Sequence, residues 1–202
     1  VQQSSAQNAA QAPTQQVQAA APAAADSTQE LPQLEISQSP ASVPTVSSDD
    51  AQALSLQEIY RESVSSVVSI ISATQSGKAT GTGIIMSADG YIITNHHVIE
   101  GAQAISVLTH DDQEYSASLI GSDETSDLAV LKIEASGLQA AQFGDSSVLQ
   151  VGDTVVAIGD PLGVTLRGTM TDGIISAINR DLTVNDRTMT LIQTNAALNN
   201  GN

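Results

Sequence analysis

The sequence has no cysteine, no tryptophan and only four aromatic side chains (Tyr60, Tyr91, Tyr115 and Phe143) among its 202 residues. Without cysteine there is no disulfide scaffold and no thiolate zinc site. Bases are nearly as scarce: six Lys and Arg stand against 22 Asp and Glu, a formal net charge of -16. A surface so poor in cations cannot displace counterions from phosphates, which excludes nucleic acid as a partner. No apolar run reaches the ~18 residues that a membrane-spanning helix needs. There is no signal-type segment and no starting methionine; the chain opens at Val1, and both ends read as cuts in a longer chain. The length suits one domain of ordinary size or two small ones.

What is present divides near residue 50. Residues 1–50 contain no Gly, Lys, Arg or aromatic residue, hold five of the six Pro, and consist mainly of Gln, Ala and Ser. Such a segment buries too little apolar area to offset the entropy of ordering it. Residues 1–53 are therefore expected to be a disordered Ala/Gln/Ser/Pro-rich linker, either a stalk or a plain spacer. An Ala-rich helix around Ala19 to Ala25 would be interrupted by Pro22.

All fourteen Gly lie at position 77 or later, and the grammar from there is that of strands. First comes one helical signal, Leu54 to Glu62, in which Ser55 and Glu58 have the spacing of a capping box. Short β-branched runs follow at 67–72, 80–86, 91–94, 105–108, 115–122, 128–133, 154–158, 168–178 and 189–193. Ser87-Ala88-Asp89-Gly90 reads as a turn between two of them. Many short strands, Gly/Asp turns and little helix predict an all-β sandwich or barrel.

The three His are the chemically informative residues. His96 and His97 follow a strand directly, and His110 lies in the polar run His110-Asp111-Asp112-Gln113. Neighbours on a strand point to opposite faces, so the pair is poorly placed to share a metal, and no second ligand cluster follows. A His acting as general base needs a carboxylate to orient it. Asp127, at the head of the apolar strand Leu128–Ile133, fits that role; equally, it fits a plain cap on the turn Gly121–Ser126.

Ordered motifs then narrow the reading. Gly81-Thr82-Gly83-Ile84-Ile85, Asp89-Gly90-Tyr91-Ile92-Ile93-Thr94-Asn95, His97-Val98-Ile99 and Asp127-Leu128-Ala129-Val130-Leu131-Lys132 come first. Phe143-Gly144-Asp145-Ser146, Val151-Gly152-Asp153, Ile158-Gly159-Asp160-Pro161-Leu162-Gly163 and Thr169 to Ser176 come after. In this order they resemble the protease domain of the HtrA (Deg) family of trypsin-like serine endopeptidases. The resemblance implies a double six-stranded β-barrel, with a first barrel over about 66–134 and a partial second barrel over about 141–202. Residues 54–202 would form this partial protease domain.

The resemblance also implies roles. His97 falls on the catalytic His, Asp127 on the catalytic Asp, and Gly201 on the Gly whose N–H helps form the oxyanion hole. Two positions depart from the family: Asp160 stands where Asn is usual, and Asn195 where Asp is common. The family's run continues G-N-S-G-G-P, and its Ser is the nucleophile; the sequence ends at Asn202, one residue earlier. Ser146, Ser147 and Ser176 lack the Gly-rich frame of a nucleophile and are read as structural. The parent is expected to cleave unfolded or misfolded proteins outside the cytoplasm. A membrane tether, a homotrimer and no cofactor or metal are implied with it. The fragment itself is expected to be inactive, with a marginal, aggregation-prone C-terminal half. A non-catalytic pseudoprotease or substrate-binding module is the alternative, disfavoured by the presence of both His97 and Asp127.

Overall fold

Alternating apolar residues on short strands need a second apolar surface, and here the strands supply it to one another by closing into a barrel. The computed structural model describes residues 54–160, 163–184 and 187–198. Helix α1 (Leu56–Ser63) leads through a short 3-10 turn into β1 (Val67–Thr74), β2 (Gly77–Ile85) and β3 (Tyr91–Asn95). A single helical turn, α2 (His96–Ile99), precedes β4 (Ala104–Leu108), β5 (Glu114–Asp123) and β6 (Leu128–Ile133). These six strands close in the order β1-β2-β3-β6-β5-β4. Every pair in the ring is antiparallel.

The barrel interior is aliphatic, as the scarcity of aromatics requires. Val68, Ile70, Ile85, Ile92, Val107, Leu131 and Ile133 fill it, and Val98 and Ile99 of α2 join the same cluster. Gly83 faces inward because nothing larger fits. A Cβ there would come 2.8 Å from Ile92 Cγ2 and 2.9 Å from Ile70 Cδ1. The Ser87–Gly90 turn forms as its sequence predicts, with Gly90 at φ 103 and its N–H donating to the Ser87 carbonyl. The capping box on α1 is also present. Ser55 N donates to Glu58 Oε2 at 2.8 Å, and Glu58 N donates to Ser55 Oγ at 3.3 Å.

The remaining strands form a separate sheet, β7 (Thr154–Gly159), β8 (Thr169–Val184) and β9 (Arg187–Thr194), in that order. The architecture is therefore all-β: one closed six-stranded barrel and a second, partial sheet. Two details differ from the sequence reading. The strand predicted to end at Ile178 runs on to Val184, because a bulge absorbs the Asn179 region: Asn179 takes φ 52 and the pairing with β9 shifts between Ala177 and Arg180. His96 and His97 follow β3 directly as expected, but they lie in a helical turn, so strand alternation is not what separates their side chains. The expected linker 1–53, the helix near 19–25 and Gly201 lie outside the described residues.

The two strand systems meet at a buried carboxylate. Ser69 and Asp160 are both fully buried, and the Ser69 hydroxyl donates to Asp160 Oδ2. Gly168 N donates to Asp160 Oδ1 at 2.8 Å, and Asp160 N donates to Thr82 Oγ1 at 3.0 Å. Ser69 is polar for this reason: it faces out of the barrel toward Asp160, while Val68 and Ile70 face in. A buried carboxylate is tolerated when donors saturate it. Tyr60 on α1 adds a clasp, its hydroxyl donating to the Gly168 carbonyl at 3.0 Å.

Candidate active site

Strand register brings together residues that are thirty positions apart. β3 and β6 pair with Asn95 opposite Leu128, which sets the start of α2 beside the residue that precedes β6. That residue is Asp127. His97 Nδ1 lies 2.7 Å from Asp127 Oδ2, and the His97 backbone N–H donates to Asp127 Oδ1 at 2.9 Å. His96 N donates to the Asp127 carbonyl at 3.0 Å. The Asn95 carboxamide donates to the same carbonyl at 3.1 Å and to Asp127 Oδ2 at 3.2 Å.

The geometry around α2 explains how the turn fits. Gly81 on β2 has no side chain where a Cβ would lie 2.5 Å from Val98 Cγ2, so α2 packs directly on the barrel wall. Val98 and Ile99 are buried, and His97 is turned outward. The His97 side chain is 63% exposed and that of Asp127 only 18%. A shielded carboxylate thus holds one ring nitrogen and leaves the other edge of the imidazole open. That asymmetry is what proton transfer to and from an external reactant requires. The neighbouring His96 points elsewhere; its Nδ1 is buried without a hydrogen-bond partner. Among the described residues, no group of three or more His, Asp or Glu side chains is placed to hold a metal ion.

The turn before β6 is capped by Asp123. Its carboxylate accepts from Ser126 Oγ at 2.6 Å, Thr125 N at 3.0 Å and Ser126 N at 3.1 Å. The Ser126 hydroxyl, then these backbone donors, hold the Asp123 carboxyl below its ordinary range. The turn therefore has its own carboxylate, and Asp127 is released to face His97. It does so at φ 55, in the left-handed region that non-glycine residues seldom adopt. The other sequence candidates lie apart from this pair. Ser146 and Ser147 occupy a 3-10 turn capped by Asp145, and Ser176 is within β8. Asn195 is structural: its Oδ1 accepts from Ile174 N at 2.8 Å. In the sequence Asn95 stands out only as the last residue of the Asp89–Asn95 motif. A polar residue between an apolar strand and a His pair was the available signal for its place beside Asp127.

Comparison with known proteins identifies the relatives of this chain. The family described as trypsin-like peptidase domain matches residues 81–202. A relative from Hahella chejuensis (strain KCTC 2396), named probable periplasmic serine endoprotease DegP-like, is 52% identical over 128 residues, 63% of this chain and 27% of its own length. The serine protease Do-like HtrA of Bacillus subtilis (strain 168) is 45% identical over 137 residues, 64% of this chain and 30% of its own. The chain thus spans under a third of either relative. A solved structure of the HtrA-type protease AlgW with tripeptide superposes with TM-score 0.66 at 39% identity, covering 71% of this chain and 48% of that one. The serine endoprotease from Yersinia pestis gives TM-score 0.64 at 37% identity, over 74% of this chain and 52% of that one. With its closed barrel, its ordered motifs and these matches, the chain belongs to the trypsin-like peptidases of the HtrA (DegP) family.

Proposed function

We propose that this chain carries the acid–base half of a serine endopeptidase active site. The observation that supports it most is the 2.7 Å contact between Asp127 Oδ2 and Nδ1 of the outward-facing His97. In this reading His97 Nε2 takes the proton of a serine hydroxyl as that oxygen attacks the scissile carbonyl, then returns it to the leaving amine. Asp127 fixes the tautomer and stabilises the imidazolium formed between those steps. The Gly201 N–H donates to the oxyanion of the tetrahedral intermediate, with the N–H of the serine itself as second donor. That serine follows Asn202 in the family pattern. Substrates are unfolded or misfolded proteins, and the reaction needs no cofactor. The name of the Hahella chejuensis relative supports work outside the cytoplasm. The family resemblance supports a tethered homotrimer, residues 1–53 forming the linker and 54–202 the protease part.

The test is acylation. The 202-residue polypeptide is expected to be inert to a fluorophosphonate probe and to leave unfolded casein intact. The same chain extended through the Ser-Gly-Gly run and its following strands is expected to label and to cleave. Casein turnover by the shorter chain, or a folded longer chain that never labels, defeats the proposal.

A further inference from the structure

Asn is among the best residues for capping a helix that it precedes. Asn95 stands at that position before α2, yet its side chain makes no bond to its own helical turn. The donors and acceptors are arranged crosswise instead. Asp127, in the turn that leads into β6, caps α2 by taking the His97 N–H on Oδ1. Asn95 reaches back and places Nδ2 between Asp127 Oδ2 and the Asp127 carbonyl oxygen, at 3.2 and 3.1 Å. One amide group thus bridges the side chain and the main chain of the same residue.

That bridge answers a specific weakness. Asp127 sits at φ 55, a conformation with little intrinsic support, and its carboxylate can turn about the bond to its own Cβ. A turned carboxylate could keep the His97 N–H while losing the ring. The Asn95 amide restrains the backbone, through the carbonyl, and the carboxylate, through Oδ2, and so holds the carboxylate in the orientation observed. In that orientation Oδ2 lies against His97 Nδ1. We infer that Asn95 is a positioning residue: it locks the Asp127 carboxylate so that His97 is held as the Nδ1–H tautomer, with Nε2 left as the proton acceptor. This rests on the reading of His97 as general base, and its own consequence is a tautomer preference that is measurable without turnover.

The experiment is long-range 1H–15N correlation on the imidazoles of the 202-residue chain, with the His side chains neutral. His110, exposed in the loop after β4, serves as the internal reference for an unconstrained ring, which favours Nε2–H. His97 is expected to be mainly Nδ1–H. Asn95→Ser removes the amide donor but restores an ordinary cap on α2; it is expected to leave the fold intact and convert His97 to the mainly Nε2–H pattern of His110. Asn95→Asp keeps the shape and replaces the donor with an oxygen facing Asp127 Oδ2; the same loss is expected. Amide spectra establish folding in each case. A folded Asn95→Ser or Asn95→Asp chain in which His97 stays Nδ1–H overturns the inference. Asp127→Asn separates the two readings. If it abolishes the preference while the Asn95 variants do not, the His97–Asp127 pairing stands and the role of Asn95 fails. If Asp127→Asn changes nothing either, the catalytic pairing fails with it.

Discussion

The two strand systems of this chain solve the same problem unequally. The six strands between Val67 and Ile133 close on themselves and bury their apolar residues inside. Among the described residues, the three strands β7, β8 and β9 form an open sheet, in which Ile175 and Ala177 are buried while Ile174, Ile178, Leu182, Leu191 and Ile192 are exposed. Both stretches have similar β-branched composition, so propensity does not separate them; closure does. An open sheet keeps unpaired edges and a wet apolar face. His97 and Asp127 both stand on the closed system, and their contact needs only the pairing of β3 with β6. The acid–base geometry is therefore expected to form independently of the open sheet.

The largest expected effect tests that independence. Asp127→Asn, in the chain extended to include the family serine, should lower kcat by about 10^4-fold, the loss seen when a triad Asp becomes Asn. The β3–β6 amide resonances should hardly move, because Asn tolerates the left-handed backbone that Asp127 adopts. If the substitution instead unfolds the barrel, the pair is part of the architecture and the separation of fold from chemistry fails. Truncation within the two systems comes next. Ile70→Ala or Leu131→Ala removes a fully buried side chain and should cost about 2–5 kcal/mol. Leu182→Ala, half-exposed on β8, should stay within about 0.5 kcal/mol. Urea unfolding of the three variants measures this, and equal losses would mean that the sheet is covered in solution.

Hydrogen exchange gives the next contrast. Amides of β3 and β6 should be protected up to the global unfolding free energy, while those of Leu182 to Thr190 open locally and exchange sooner. Limited proteolysis should likewise cut within 141–198 before 67–133. Equal resistance of the two stretches would remove the distinction.

Much of this was legible in the sequence, and the exceptions have physical causes. The barrel strands show their period directly, and the capping box of α1 is visible as Ser55 and Glu58. The His97–Asp127 pair was legible as two residue types, but their contact arises from strand register across thirty positions, which no local pattern encodes. The α2 turn is four residues long, too short to display a helical period. The extension of β8 past Ile178 was hidden because Asn179-Arg180-Asp181 reads as a turn; a bulge lets the strand pass through it. Asp160 was visible as a departure from the family, but nothing local reveals that Ser69, ninety-one positions away, donates to it inside the protein.

The smallest effect sets one turn of each region against the other in acid. Asp123 before β6 and Asp145 before β7 both have carboxyls held below the usual range. Asp123 is held by the Ser126 hydroxyl and then by backbone N–H groups. Asp145 is held by the Ser147 side chain and then its N–H. A folded-state pKa below the unfolded value means that each turn is stabilised above the unfolded aspartate pKa of about 3.9. That contribution fades as the pH falls through the lower folded value. Carboxyl 13C titration should therefore place both midpoints below that of a free aspartyl peptide. The consequences differ, because only the Asp123 turn adjoins the site: Asp127 N donates to the Glu124 carbonyl within it. Acidification through the Asp123 transition should lower the protection of the Asp127 amide relative to its intrinsic exchange rate and disturb the His97 resonances, and Asp123→Ala should produce the same disturbance at neutral pH. Asp145→Ala should leave His97 untouched. If it perturbs His97 as much as Asp123→Ala does, the two regions are coupled through the Asp160 junction, and the closed barrel does not hold its pair alone.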